Sequence, residues 1–269
     1  MILTAQAVLE KAGKSQTDPN TIGWESIANK WKDVRWPRRP RFQDEFSNAF
    51  PLLSRVKGKE ALVFGATPEF RSWLNKAGAR VSVNEKSAIS YAAMSSILRA
   101  QFHTQPNREL VIPMDWEGRD YEKGRYNLMM GDIITGYLET KERISEFLVK
   151  VSDMLAKGGT FLLRDFVNMP FQSGAYMQMP IDKRRWAYIL TPGFAIENGI
   201  FYEEKLVQNL KAVNDLQTLA TCANPPRTRV MPTMDEMQGI FDSSPLEPTL
   251  LVAPNPEMVQ PALWMLKNP

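Results

Sequence analysis

The chain reads as an α/β fold, a doubly wound and mostly parallel sheet of seven strands whose last strand is antiparallel. Three observations carry that reading. Short apolar runs recur from Lys59 onward with helical segments between them, the alternation that builds parallel sheets. The first run passes through a strand-glycine-helix turn, Ala61-Leu62-Val63-Phe64-Gly65-Ala66-Thr67-Pro68-Glu69-Phe70. Polar or acidic residues then follow the ends of successive runs, where an open parallel sheet places its ligands.

Taken in order, residues 1–57 form an N-terminal helical cap. Ile22, Trp24, Ile27, Ala28 and Trp31 are spaced as an amphipathic helix, which Trp36-Pro37-Arg38-Arg39-Pro40 breaks. The main domain covers 58–269. Ala61–Phe64 is its first strand, Gly65 permits the turn, Thr67 is placed to cap the next helix and Pro68 suits its first position. Phe70, Trp73, Leu74 and Ala77 recur at helical spacing, and Gly78 stops the helix. Arg80–Glu85 is the second strand, followed by a helix through Ser90 to Ala100. Leu110–Trp116 and Tyr126–Asp132 are the third and fourth strands. A helix through Ile144 to Leu155 leads to Gly158-Gly159, which turns into the fifth strand at Thr160–Arg164. The alternation then pauses. Residues from 166 to about 245 read as an insertion with helical pieces such as Tyr202 to Leu216, and Pro248–Val252 with Ala262–Leu266 closes the chain as an antiparallel pair.

At 269 residues with 43% hydrophobic content, the chain has ample material for a core of its own. A net charge of +3 with a pI near 8.9 lacks the dense basic stripes of a dedicated nucleic-acid binder. The single cysteine, Cys222, rules out an internal disulfide or thiolate metal cluster and fits a reducing compartment. No signal peptide and no membrane-length apolar run is present, so a cytoplasmic protein away from membranes is expected. The lone histidine, His103, disfavours a Ser-His-Asp hydrolase and any histidine-rich metal site. Composition leaves the oligomeric state open.

The turn at Gly65 suits a nucleoside that carries no phosphate cradle. A dinucleotide fingerprint needs glycines at the positions of Thr67 and Phe70 for close approach of the pyrophosphate, and no P-loop lysine follows. S-adenosylmethionine fits instead, because its carboxylate or ribose can sit near a helix N-terminus without such a cradle. Its adenosine needs a ribose acceptor, an acceptor for the ring amine and a flat cover. Asn84 or Glu85 can supply the first, Asp115 the second and Trp116 the third.

On these residues the chain resembles the class I S-adenosylmethionine-dependent methyltransferases, which are Rossmann-like. More narrowly it is similar to a bacterial branch whose glycine motif reads Leu-Gly-x-Thr-Pro-Glu-Leu. The resemblance covers nearly the whole chain, including Arg38-Arg39-Pro40, Asp115-Trp116, Gly131-Asp132 and Lys157-Gly158-Gly159. It implies that Gly65, Ala66 and Thr67 wrap the methionine part of the cofactor, that the second strand's end holds the ribose, and that Asp115 and Trp116 frame the adenine. Asp132 would lie beside the reacting methyl, as cofactor anchor or catalytic base. Val63 stands where an acidic residue is usual, one glycine remains of three, and Asn84 stands where aspartate is commoner, which leaves Asn84 or Glu85 as the ribose acceptor.

Candidate substrate-binding residues are Trp31, Arg39, Arg164 and Tyr176. The segment Lys32–Arg41 is a solvated loop or a basic mouth in which Arg39 grips an anion. Lys183-Arg184-Arg185-Trp186 reads as a surface helix turn. Met169, Met177 and Met179 around Phe171 and Tyr176 form core filler or an adaptable apolar wall. Two weaker patterns are set aside: Asn224-Pro225-Pro226 lacks the aromatic residue that stacks a flipped base, and Phe166 interrupts the adjacent Asp-Asn pair that a magnesium site at Asp132, Asp165 and Asn168 would need. The expected activity is metal-independent transfer of methyl to oxygen or nitrogen of a small, anionic or aromatic metabolite. The alternatives are an RNA or protein methyltransferase and a non-catalytic cofactor-binding protein.

Overall fold

The computed structural model describes residues 2–13, 39–116, 121–168, 179–190, 194–197, 199–219, 228–255 and 261–269. Its strands are β1 (Leu3–Thr4), β2 (Glu60–Phe64), β3 (Arg80–Asn84), β4 (Leu110–Ile112), β5 (Tyr126–Asp132), β6 (Leu155–Asp165), β7 (Ile196–Glu197), β8 (Ile200–Tyr202), β9 (Thr228–Val230), β10 (Glu247–Val252) and β11 (Ala262–Lys267). The α-helices among the described residues are α1 (Ala5–Gly13), α2 (Phe50–Ser54), α3 (Pro68–Lys76), α4 (Ala88–Phe102), α5 (Lys141–Met154), α6 (Ile181–Leu190), α7 (Glu203–Ala212), α8 (Leu216–Leu219) and α9 (Met234–Asp242). None of them is long and apolar enough to cross a membrane.

Eight strands form one mixed sheet in the order β1-β4-β3-β2-β5-β6-β11-β10. The strand beyond the expected seven is β1, which pairs antiparallel with β4 through Leu3 and Val111. Two residues are too few to show a periodicity, so this edge strand was hidden within a segment read as helical. By contacts the chain divides into two units, Met1–Asp132 with Lys150–Leu163 and Met265–Pro269, and Ile133–Val149 with Arg164–Trp264.

In the first unit β2 runs parallel to both β3 and β5, and β3 runs parallel to β4. The register aligns their carboxyl ends. Phe64 lies opposite Asn84 on one side and Gly131 on the other, and Asn84 lies opposite Ile112. The residues that follow, Gly65, Glu85 and Asp132, therefore leave the sheet at one edge. Ala61 to Phe64 are at most 1% exposed, as a strand covered on both faces requires. Helices α1 and α3 both pack on α4. Phe70 and Leu74 of α3 are buried, and Phe46 lies 5.1 Å from the Phe70 ring and 4.9 Å from that of Trp73. This aromatic cluster holds residues 42–50 against α3. At Gly159, inside β6, a Cβ would stand 2.7 Å from the Ala156 carbonyl oxygen and 2.9 Å from that of Tyr126, so only glycine fits there.

The second unit has its own apolar core, in which Phe166, Tyr188, Ile189, Phe201, Leu206, Leu210 and Met231 are buried. Strands β7, β8 and β9 form a three-stranded antiparallel sheet within the insertion expected as helical pieces. Helix α9 starts on a reciprocal cap. The Glu236 N–H donates to Thr233 Oγ1 at 3.2 Å, and the Thr233 N–H donates to Glu236 Oε2 at 2.8 Å. The surface turn expected at Lys183 to Trp186 is corrected at Arg184, whose side chain is buried and donates to Asp215 at 3.3 Å. Arg185 pairs with the buried Glu203 at 2.6 Å. Asn224-Pro225-Pro226, the Ile22–Trp31 helix and the methionine run up to Met177 lie outside the described residues.

Candidate cofactor site at the ends of β2, β3 and β4

The Gly65 turn is built as the sequence suggests. Gly65 adopts φ +74°, a left-handed conformation that favours glycine, and its N–H donates to the Asn84 carbonyl at 2.9 Å. Pro68 opens α3, where its missing N–H costs nothing. Thr67 occupies the capping position, but its side chain makes no capping bond, which corrects that expectation. Glu69 in the first turn of α3 is buried and puts a carboxylate at the helix N-terminus. That negative charge complements the helix dipole and leaves little favour for a pyrophosphate there.

Asn84 is fully buried and its side chain faces protein on every side. Nδ2 donates to the carbonyls of Ile112 at 3.0 Å and Met114 at 2.7 Å, while Oδ1 accepts the Tyr121 hydroxyl. The amide therefore staples the end of β3 to the chain after β4. Glu85, the other ribose candidate, is partly exposed. Its Oε1 accepts the Ser87 N–H at 2.9 Å, and the Ser90 side chain and Ala66 N–H also face the carboxylate. Burial pushes the Glu85 carboxyl above the ordinary range, opposed by these donors and by the Arg71 charge.

Trp116 stands over the turn. Its indole N–H donates to the Asn84 carbonyl at 3.2 Å, and a Cβ placed on Gly65 would lie 3.9 Å from the ring. The ring also meets Phe64 edge-on, with centroids 6.5 Å apart. Asp115 beside it is exposed and pairs with Lys86 at 2.7 Å, so it sits at the rim. Asp132 ends β5, half-buried, and the chain then passes through Ile133 at φ +54°. A left-handed β-branched residue is a strained one, and such strain collects beside functional groups.

Of the four substrate candidates, Arg39 and Arg164 lie among the described residues. Arg39 forms an ion pair with Glu69, donates to Gln101 Oε1 at 2.9 Å, and lies 5.4 Å from the Phe102 ring centroid. It is engaged by the first turn of α3 rather than held open for an anion. Arg164, in the second unit, is fully buried at the end of β6. Trp31 and Tyr176 lie outside the described residues. Asp165 spends both carboxylate oxygens on backbone donors, Oδ2 on the Thr135 N–H at 2.7 Å and Oδ1 on the Phe166 N–H at 2.9 Å. Burial pushes its carboxyl up to about 6. His103 caps the end of α4 in a left-handed conformation, a structural place for the one histidine.

Residues missed from sequence are Tyr121, Arg71, Glu109 and Tyr91. The available signal was Arg71 itself, a charge flanked by Phe70 and Leu74 on a helix whose apolar face must be buried.

No protein-family model matches the chain, and none of the curated proteins matches it. Solved structures do. A candidate Zn-dependent alcohol dehydrogenase from Rhodobacter sphaeroides aligns with a TM-score of 0.58 at 14% identity, over 93% of this chain and 98% of that one. A candidate O-methyltransferase from Nostoc punctiforme aligns with a TM-score of 0.53 at 16% identity, over 98% of this chain and 67% of that one. The 1,6-didemethyltoxoflavin-N1-methyltransferase of Burkholderia thailandensis, solved with 1,6-didemethyltoxoflavin and S-adenosylhomocysteine, aligns with a TM-score of 0.50 at 11% identity, over 92% and 86%. At these identities the likeness is one of fold, a mixed α/β sheet of the Rossmann-like kind.

Proposed function

We propose that the protein is an S-adenosylmethionine-dependent methyltransferase. The observation that carries this is the pairing at the strand ends of one unit: a single left-handed glycine turn, a carboxylate at Glu85 facing the backbone of that turn, and the Trp116 ring beside it. The donor set suits an adenosine. Glu85 accepts from the ribose hydroxyls, and Trp116 covers a flat base and keeps water from it. The Gly65-Ala66-Thr67 backbone lines the methionine side, and Asp132 holds its ammonium or orients the acceptor.

A dinucleotide fits these residues less well. Thr67 and Phe70 stand where glycines would admit a pyrophosphate. The cofactor's sulfonium supplies an electrophilic methyl. Asp132, if it acts as base, takes the acceptor's proton on a carboxylate oxygen. Alignment in a water-poor site provides most of the rate, with no covalent enzyme intermediate. The acceptor is oxygen or nitrogen of a small metabolite, without a metal ion. An RNA or protein acceptor remains the second reading, and a strongly salt-dependent affinity would favour it.

Calorimetric titration with S-adenosylhomocysteine and with NAD tests the cofactor. Binding of the first without the second, unaffected by a chelator, is expected. Tight NAD binding would overturn the reading. Incubation with methyl-labelled S-adenosylmethionine and cell extract, with the labelled product identified by mass, then gives the acceptor.

A further inference from the structure

The Gly65 turn rests on a set of enclosed polar groups that the cofactor reading leaves unused. Arg71 is 0% and Glu109 1% exposed. Arg71 Nη2 donates to Glu109 Oε2 at 2.7 Å and to Ser95 Oγ at 2.7 Å, and Nε donates to Oε2 at 3.1 Å. The Tyr91 hydroxyl donates to the same Oε2 at 2.7 Å, and Asn75 Nδ2 to Oε1 at 2.9 Å. The Tyr91 ring centroid lies 4.5 Å from the guanidinium carbon. The remaining nitrogen, Nη1, donates to the Ala66 carbonyl at 3.3 Å.

A buried ion pair of this kind is a poor source of net stability, because apolar residues of equal volume commonly do as well or better. Its geometry points elsewhere. Two successive peptides of the turn meet here: the Ala66 carbonyl, in the Ala66–Thr67 peptide, accepts from Arg71, and the Ala66 N–H, in the Gly65–Ala66 peptide, faces the Glu85 carboxylate. Glu109 and Tyr91 fix the guanidinium so that it has one orientation, and a planar fork holds a carbonyl more rigidly than an ammonium does.

We propose that Arg71 is a positioning residue for the cofactor's ribose: by holding the Ala66 carbonyl it fixes the Ala66–Thr67 peptide and the backbone torsions at Ala66, and through them the preceding Gly65–Ala66 peptide whose N–H faces the carboxylate that accepts the ribose hydroxyls. The inference rests on the adenosyl reading of the Gly65 turn. Arg71 itself touches no ligand. It acts through Ala66 and Glu85, and its signature is selectivity for the ribose hydroxyls rather than affinity alone.

The test is calorimetric titration of S-adenosylhomocysteine and its 2′-deoxyribose counterpart into the wild type, Arg71→Lys, and the double variant Arg71→Met with Glu109→Gln. The double variant removes both charges together and so leaves none buried alone; thermal unfolding checks that it folds. The wild type should prefer the ribose form by about tenfold or more, the usual worth of a hydrogen bond to a charged group. The folded double variant should fall to within about twofold, and Arg71→Lys should lie between, because an ammonium keeps the charge but not the fork. A folded variant that keeps the full preference overturns the proposal; if the double variant does not fold, Arg71→Lys alone decides in the same way. A wild type that binds neither ligand overturns the adenosyl reading and this inference with it. Wild-type binding with undiminished preference in the variants overturns this inference alone.

Discussion

The Asn84 carbonyl accepts two donors, the Gly65 N–H at 2.9 Å and the Trp116 indole at 3.2 Å. One backbone atom at the end of β3 thus fixes both the glycine turn and the aromatic ring over it. The Asn84 side chain, tied to Ile112, Met114 and Tyr121, keeps that atom in place.

Replacing Trp116 by Phe removes one of the two donors without leaving the carbonyl unsatisfied. The expected loss of stability is about 1 kcal/mol or less. Cofactor binding should also lose its component of tryptophan fluorescence change. A ligand-induced signal identical to that of the wild type would place the base elsewhere.

Gly65→Ala has room for its Cβ, since the nearest atom lies 3.9 Å away, so its cost comes from backbone conformation at φ +74°. About 1–2 kcal/mol of destabilisation is expected, read from the denaturant midpoint at unchanged slope. A neutral substitution would mean that the turn relaxes easily and is no rigid platform.

Asp165 sets a pH dependence with a definite sign. Its carboxyl is raised by burial from 3.8 to about 6, so the folded state holds the proton more tightly than the unfolded one. Its contribution is fully present below about pH 4, declines as the pH rises from there to about 6, and is absent above, a total of ~3 kcal/mol. Glu85 is raised in the same direction and adds to the same limb. Thermal midpoints across pH 4–7 should therefore fall less steeply in Asp165→Asn than in the wild type. Parallel curves would contradict the assignment.

Asp132→Asn keeps the shape but removes the charge that would meet the cofactor's ammonium. Affinity for S-adenosylhomocysteine should weaken by about 1.5–3 kcal/mol. Intact binding with turnover lowered about 10²–10⁴-fold would make it the base instead. No change in either quantity would remove it from the site.

Arg39→Ala bears on the first turn of α3. Because Arg39 pairs with the buried Glu69, the loss should appear in the thermal midpoint and in cofactor affinity together. Weaker acceptor binding alone, at unchanged stability, would restore Arg39 to the role of anion grip.

The central strands were legible because each is a continuous apolar run bounded by a turn, and the Gly65 motif was legible because its meaning is local. Strands β1 and β7 to β9 hold two or three residues each, too few for any period to show. The use of Asn84 was hidden for another reason. Its partners Ile112, Met114 and Tyr121 lie 28, 30 and 37 positions away, so nothing nearby tells whether the amide faces a ligand or the protein. Arg71 and Glu109, 38 positions apart, are the same case. Arg39 shows the converse, since a cluster of arginines in sequence suggests a basic mouth until a carboxylate at Glu69 claims one of them.

Asn268 links the end of the chain to its middle. Its backbone exchanges bonds with Gly158 and Gly159 at 2.9 Å each, and its side chain donates to the Leu155 carbonyl at 3.0 Å. Those carbonyls and amides lie where α5 gives way to β6, more than 100 residues earlier. During synthesis, then, the junction lacks these partners until a segment more than 100 residues further along has been made, and the first unit is closed by that distant segment rather than by its sequence neighbours.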